Sequence, residues 1–357
     1  MNILFLVPYP LNESPSQRFR FEQYFGVLKQ QGHSFQVEPF LEPKTWQHFY
    51  DSGRAFSKSL LLVKGLLRRL SILPALFKFD FVFIHREAAP LGPPVFEWLI
   101  TQVFRKKVIY DFDDALWLTD RIDEGLLLKS IKWRSKIKAI CRWSYKVSCG
   151  NEYLCSYARR YNDQVIYNPT TIDTEVLHNP DRLSKSRSDA ITVGWTGSHS
   201  TLKYLRLIED ILQDIERDFP TVQFLVIADK KPDLNLKSLR YKPWRIDTEI
   251  EDLFEFDIGI MPLPDDEWAK GKCAFKALQY MALQIPTIAS PVGVNSAVID
   301  HGLNGFLAAS PAEWKNCLKL LINGKNLRTE FGKMGRKKVA HQYSVLSNKA
   351  AFLSLFG

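Results

Sequence analysis

Long hydrophobic runs are missing from the start of this chain. Ile3 to Val7 is apolar but stops at Pro8, too short for a signal peptide or a membrane span, and no basic segment precedes it. It reads as a buried strand. Paired cysteines are missing as well: Cys141, Cys149, Cys155, Cys273 and Cys317 are odd in number and scattered, with no C-x-x-C. That argues against a disulfide framework or a structural zinc site and fits a reducing cytosol. No low-complexity tract interrupts the 357 residues, and 46% hydrophobic with 24% charged content is that of a folded chain long enough for two cores. Acidic residues, finally, are absent from Lys129 to Lys146, where Lys132, Arg134, Lys136, Lys138 and Arg142 alternate with Trp133, Ile137, Ile140 and Trp143. This stretch reads as a basic amphipathic helix, either solvated or adhering to an anionic lipid surface. The formal net charge of +9 points the same way, to an anionic partner or surface.

What is present is an alternation of short apolar runs with helical patterns, the mark of parallel α/β layers. Strands are expected at Ile3 to Val7, Ser34 to Val37, Phe81 to His85, Val108 to Asp111, Lys146 to Ser148 and Val165 to Tyr167, with a helix over Ser16 to Gln31. Residues 181–189, almost without aliphatic side chains, read as a linker. The alternation then restarts, with strands at Ile191 to Trp195, Val222 to Ala228, Ile258 to Met261, Thr287 to Ala289 and Phe306 to Ala308. Helices are expected over Ser200 to Phe219, Lys272 to Leu283, Ala312 to Ile322 and Leu327 to Gln342. The domains are therefore expected at 1–180 and 190–342, with 343–357 a final helix packing back on the first domain. Two such sheets gather ligands outside the carboxyl ends of their strands, in a cleft between facing domains.

Three turns at those ends carry the chemistry. Gly197, Ser198 and Thr201 follow a strand and open a helix, offering free backbone N–H groups to a phosphate. At helical spacing, Lys272, Lys276 and Gln279 share one face near a helix start, where cations oppose the helix dipole unless an anion sits between them. Val292, Gly293 and Asn295 form another small-residue turn of the same kind. In the first half, Ser16, Arg18, Arg20, Arg86 and Asn151 follow strand ends, where they would meet an acceptor or a phosphate. The run Asp111-Phe112-Asp113-Asp114 admits two readings. A D-x-D after a strand can hold a divalent metal against a diphosphate; otherwise Asp113 is a polar contact at the site, with Asp111 supporting it.

From Leu278 to Gly293 the chain reads LQYMALQIPTIASPVG, followed by Gly302-Leu303-Asn304-Gly305-Phe306-Leu307. Together with the Ile3 to Val7 strand, the Gly197 turn and Asn168 to Thr174, this resembles the GT-B glycosyltransferases of the large retaining group called group 1 or family 4. The resemblance implies two facing Rossmann-like domains and transfer of a sugar from a nucleotide-diphosphate donor to a cell-envelope glycan or lipid-linked acceptor. It implies a diphosphate held by Gly197, Ser198, Thr201, Lys272, Lys276, Val292, Gly293 and Asn295, and a ribose contact at Gln279. Asp113 falls where the group often carries a histidine facing the donor sugar. Retention is implied, the leaving phosphate helping to take the acceptor's proton, with no resident cofactor and no obligatory metal. Two departures mark a divergent branch: the group's paired glutamates are replaced by Gly271 and Gln279, and the glycine-rich first loop by Asn12 to Arg18. Asp265, Asp266 and Glu267 offer substitute carboxylates. A nucleotide-sugar epimerase and an inactive basic binding module are the rival readings. Nucleic acid is not expected as a partner. Peripheral attachment to the inner face of a membrane is, through either the Lys129 to Lys146 run or the leucine-rich, basic segment Ser57 to Leu76.

Overall fold

A computed structural model of the chain describes residues 1–42, 55–119, 125, 131–184 and 190–357. Lys129, the Ser57 side chain and linker residues 185–189, named above, lie outside the described set. The chain divides into two compact units, one of Met1–Thr170 with Lys349–Gly357, the other of Thr171–Asn348. Residues 171–180, assigned above to the first domain, thus belong to the second unit.

Unit 1 is a parallel sheet of six strands: β1 (Asn2–Val7), β2 (Ser34–Pro39), β3 (Phe81–His85), β4 (Lys107–Phe112), β5 (Lys146–Cys149) and β6 (Val165–Tyr167), in the order β2-β1-β3-β4-β5-β6. Its central strands are apolar at nearly every position because helices cover both faces; β2, at the edge, alternates between exposed and half-buried residues. Phenylalanines fill the core: Phe5 lies 4.9 Å from Phe83, and Phe83 lies 6.4 Å from Phe356. Tyr24 stacks on Phe352 at 4.2 Å. Phe352 and Phe356 come from the last nine residues, so the tail Lys349–Gly357 completes this core. The helix expected over Ser16 to Gln31 is broken into Pro15–Arg18, a 3-10 turn Glu22–Tyr24 and Phe25–Gln30. Among the described residues the basic amphipathic stretch is helical at Ile131–Lys132 and again over Lys136–Trp143, interrupted by a turn at 133–135 where Trp133 takes φ +47°. There Lys136 is buried, donating to Ala89 O at 2.9 Å and pairing with Glu87 at 2.7 Å, so it is no surface cation.

Unit 2 holds β7 (Thr192–Gly197), β8 (Gln223–Ala228), β9 (Leu239–Pro243), β10 (Ile258–Met261), β11 (Thr287–Ala289) and β12 (Gly305–Leu307). All run parallel, in the order β12-β11-β10-β7-β8-β9, the doubly wound order that places a ligand crevice where β7 and β10 lie side by side. The helix expected over Ser200 to Phe219 is a 3-10 segment, Leu202–Ile208, followed by an α-helix, Glu209–Asp218, whose Ile211, Leu212 and Ile215 face the sheet. The helix expected from Lys272 begins only at Phe275. Its cap, Ala274, sits at φ +54°, a left-handed conformation that turns the chain sharply before the helix starts. Toward its end, Leu327 to Gln342 is an α-helix, Lys325–Lys338, closed by a π turn, Val339–Tyr343.

Candidate functional site

In unit 2 three loops at the carboxyl ends of β7, β10 and β11 carry the expected residues. The first, after β7, opens with Gly197. A β-carbon added there would lie 2.5 Å from the Trp195 ring, 2.8 Å from Lys276 Cε and 2.8 Å from Thr201 Oγ1, so only glycine admits this approach. The Lys276 ammonium lies over the Trp195 ring, 5.4 Å from its centroid. Trp195 and Gly197 close β7 while Lys276 is the second residue of the helix Phe275–Ala282. A cation, a glycine turn and the first N–H groups of a helix are thus brought together at one sheet edge, where an anion would satisfy all three. Close by, Thr201 Oγ1 donates to Ser198 O at 3.0 Å, and His199 N–H and Nδ1 both meet Asp229 at 2.5 Å, fixing the loop against the end of β8.

The other two loops lock onto each other. Gly293, at φ +57°, leaves so little room that a β-carbon would lie 2.8 Å from Lys270 O. Ser290 Oγ accepts from Leu263 N–H at 2.9 Å, tying the loop after β11 to the loop after β10.

The expected residues do not all share this site. Lys272 precedes the helix, its ammonium 4.8 Å from the Trp268 ring, so the three-residue polar face reduces to Lys276 and Gln279. Gln279 is buried, and its amide nitrogen donates to His178 Nε2 at 3.4 Å. Behind it, Arg336 donates to His178 O at 2.8 Å and Thr174 O at 2.9 Å, clamping the segment 174–178 to the helix. Asn295 is buried and donates back to Ser290 O at 3.0 Å, closing its own turn, while Val292 is buried beside it. Of the three carboxylates in the loop after β10, Asp266 caps the short helix Glu267–Lys270 by accepting from Ala269 N–H at 2.7 Å. Glu267 pairs with Lys270 at 2.8 Å, and Asp265 with the same lysine at 3.7 Å.

Unit 1 has its own cluster at the carboxyl ends of β3, β4 and β5, where His85, Asp111 and Ser148 lie side by side. Asp111 is the last residue but one of β4 and is wholly buried. It pairs with the equally buried Arg20, and accepts from His85 Nδ1 at 2.8 Å and from Ser148 Oγ at 2.6 Å. Burial alone would raise the Asp111 carboxyl; Arg20 and the His85 contact outweigh it and hold it well below the ordinary carboxylate range. An ionised Asp111 can only accept, which assigns the shared proton to His85 Nδ1 and turns Nε2 toward Ser16 Oγ, 3.4 Å away. Asp111 and Asp113 do not act as a D-x-D pair. Asp113 instead accepts from Arg86 at 2.8 and 3.0 Å, and Arg86 also reaches Asp114 at 2.6 Å. Nor does Asp111 support Asp113 as expected, since its oxygens serve Arg20, His85 and Ser148.

Arg18 is half-buried, its guanidinium 5.1 Å from the Phe19 ring, whereas Arg20 is an internal charge and no acceptor contact. Asn151 is likewise internal: its Oδ1 caps the helix Glu152–Ala158 by accepting from Leu154 N–H at 2.8 Å. Asn151→Ala should therefore cost ~1 kcal/mol of stability, read by urea denaturation, and leave the KM for any acceptor unchanged. A raised KM at unaltered stability would return Asn151 to the acceptor. His85 and Arg20 carry this cluster, yet the first reads as the tail of an apolar strand and the second as one of several surface arginines.

Comparison with known proteins agrees with this architecture. Residues 190–323 match the family described as "Glycosyl transferases group 1". No curated protein sequence matches the chain. Among solved structures, sucrose-phosphate synthase from Thermosynechococcus elongatus is similar at 13% identity and a TM-score of 0.66, over 99% of this chain and 98% of that one. HepE from Anabaena, in complex with UDP and glucose, is similar at 13% identity and a TM-score of 0.64, over 99% and 98%. A glycosyltransferase from Rickettsia africae gives a TM-score of 0.69 at 13% identity, over 99% and 97%. At such identities the likeness is one of fold.

Proposed function

We propose that the chain, whose residues 190–323 match the group 1 glycosyltransferase model and whose fold is like that of solved glycosyltransferases, moves a sugar from a nucleotide-diphosphate donor to a cell-envelope glycan or lipid-linked acceptor. One observation carries the donor half: Lys276 lies against the Gly197 turn at the start of its helix. A diphosphate there has a lysine, a glycine turn and helix N–H groups to receive the negative charge that develops as the sugar leaves. These groups are positive and preorganised, so the reaction proceeds without an obligatory metal and without a resident cofactor. The UDP and glucose held by HepE support a nucleotide sugar as donor. Ser198, Thr201 and Gly293 shape the walls around it, while Gln279 and Asn295 hold those walls from within.

Unit 1 takes the acceptor side. Arg86 with Asp113 provides a charged pair at the strand ends, and Ser16 provides a hydroxyl backed by His85 and Asp111. The resemblance implies Asp113 as the contact to the sugar, and in this reading Asp111 acts through His85 and is a positioning residue. Transfer with retention and action from the cytoplasmic side complete the reading.

The test is a thermal-shift panel of nucleoside mono- and diphosphates and their sugars. A ligand that binds only the folded state stabilises it by ~2.7 kcal/mol at a hundred times its Kd. One nucleoside diphosphate should raise the Tm well beyond its monophosphate, and Lys276→Ala should remove most of that difference. A panel in which no diphosphate moves the Tm overturns the proposal.

A further inference from the structure

The helix Ala55–Ile72 in unit 1 presents its apolar residues to water. Leu60, Val63, Leu67 and Leu70 recur at i, i+3, i+7 and i+10, one stripe on a helix, and all are exposed, Leu60 by 62% and Leu67 by 60%. This orientation is fixed from the opposite side. Arg69 is buried and donates to Ala88 O at 2.8 Å, Glu38 O at 2.9 Å and Val7 O at 2.8 Å. One turn earlier, Gly65 lies so close to the Phe40 ring that a β-carbon would meet it at 2.4 Å. Gly65 and Arg69 point the same way, so the leucine stripe is held outward, away from the sheet.

Further large apolar residues of the same unit are exposed after the helix. Phe77 is 74% exposed, and its ring lies 5.7 Å from that of Phe104, joining the helix to the segment that bears Val95, Trp98 and Val103, all exposed. Cations accompany them. Lys78, Arg105 and Lys107 are exposed, and the Lys106 ammonium lies 5.8 Å from the centre of the Phe77 ring. Between Phe81 and Tyr110 the acids are Glu87 and Glu97, and both are occupied: Glu87 pairs with Lys136 at 2.7 Å and buried Glu97 accepts from Ala88 N–H at 2.8 Å. On the helix itself Lys64 and Arg68 pair with Glu42 at 2.9 Å, and Asp80 accepts from Asn2 N–H at 2.7 Å, so the cationic excess lies at Lys78, Arg105 and Lys107. Exposed leucines, a tryptophan and a phenylalanine with these cations in the same segments fit one kind of partner, an anionic lipid surface. No helix among the described residues is long and apolar enough to cross a membrane, which suits a face that lies on the bilayer.

We propose that this face of unit 1 docks on an anionic bilayer, its leucines seated at the acyl boundary and its cations on the headgroups. The proposal deepens the acceptor reading above, on which it rests for its biological sense, since a lipid-linked acceptor lies in such a surface. In the Lys129 to Lys146 run, by contrast, Lys136, Ile137 and Ile140 face the interior.

The experiment is cosedimentation of the full chain with phosphatidylglycerol vesicles and with phosphatidylcholine vesicles, with no sugar donor present. The chain should sediment with the first and not the second, and release as salt is raised. Leu67→Asp with Leu70→Asp should lower the partition coefficient by about tenfold or more. Arg105→Glu with Lys107→Glu should weaken binding and flatten its salt dependence. Both double variants alter exposed side chains, so their Tm and their thermal response to nucleoside diphosphate should match the parent's. Failure of the donor reading would show only in that thermal response. Docking is overturned if the parent ignores phosphatidylglycerol, if the leucine variant binds like the parent, or if the leucine change merely converts a self-associated protein to monomer.

Discussion

Replacing Lys276 by alanine should lower kcat/KM for the donor by about 10²–10³-fold, the loss seen when one preorganised charge-stabilising group is removed from a transfer site. The side chain is half-buried and sits over Trp195 at the edge of the sheet, so the fold should survive the change. Gly197→Ala should fall as far by another route. Its β-carbon would press on the Trp195 ring at 2.5 Å and on Lys276 Cε at 2.8 Å, pushing the ammonium from its place. The two changes together should cost little more than either alone, because both remove the same anion seat. Steady-state kinetics on the three variants decide it; a Lys276→Ala enzyme with turnover within a few fold of the parent would return the diphosphate to another part of the fold.

The second large effect concerns stability. Asp111→Asn removes the charge opposite Arg20 while both side chains are fully buried, which leaves an uncompensated guanidinium in the core of unit 1. Breaking a buried pair in this way costs ~3–5 kcal/mol. The sign of its pH dependence follows from the depressed carboxyl. Its contribution is complete above the unfolded value of about 3.9 and is lost as pH falls toward the lower folded value. Denaturation midpoints of parent and variant should therefore differ most at neutral pH and converge in acid. A constant gap across that range, or none at neutrality, would show that Arg20 finds its counter-charge elsewhere.

Most of the strand and helix order is legible in the residues, since both sheets are parallel and their central strands are short continuous apolar runs. β9 is not: Leu239–Pro243 carries Arg240 and Lys242 and ends in proline, which suits an edge strand and reads as a loop. The late start of the helix Phe275–Ala282 is equally hidden, because the left-handed residue before it is an alanine and no glycine or proline marks the turn. Asp111 illustrates a different limit. A run of three aspartates within four positions looks like an acidic surface, and its burial depends on Arg20, 91 positions earlier in the chain. Only the tertiary fold brings them together. Asn151 and Asn295 read as polar residues in turns after strands and Gln279 as part of a polar helix face, and each is spent on holding its segment in shape, a use that spacing cannot distinguish from ligand contact. Gly197 and Lys276 stand apart, since motif and helix position both named them and the structure joins them.

The aromatic interior of unit 1 is finished by Phe352 and Phe356, which the ribosome makes only after the whole of unit 2. Unit 2 is a single uninterrupted stretch and can mature as soon as it emerges, whereas the earlier-made sheet must wait, part of its interior wet, until translation has passed residue 356. The order of synthesis and the order of completion are thus reversed, and for that interval the unfinished half is the one that needs a chaperone.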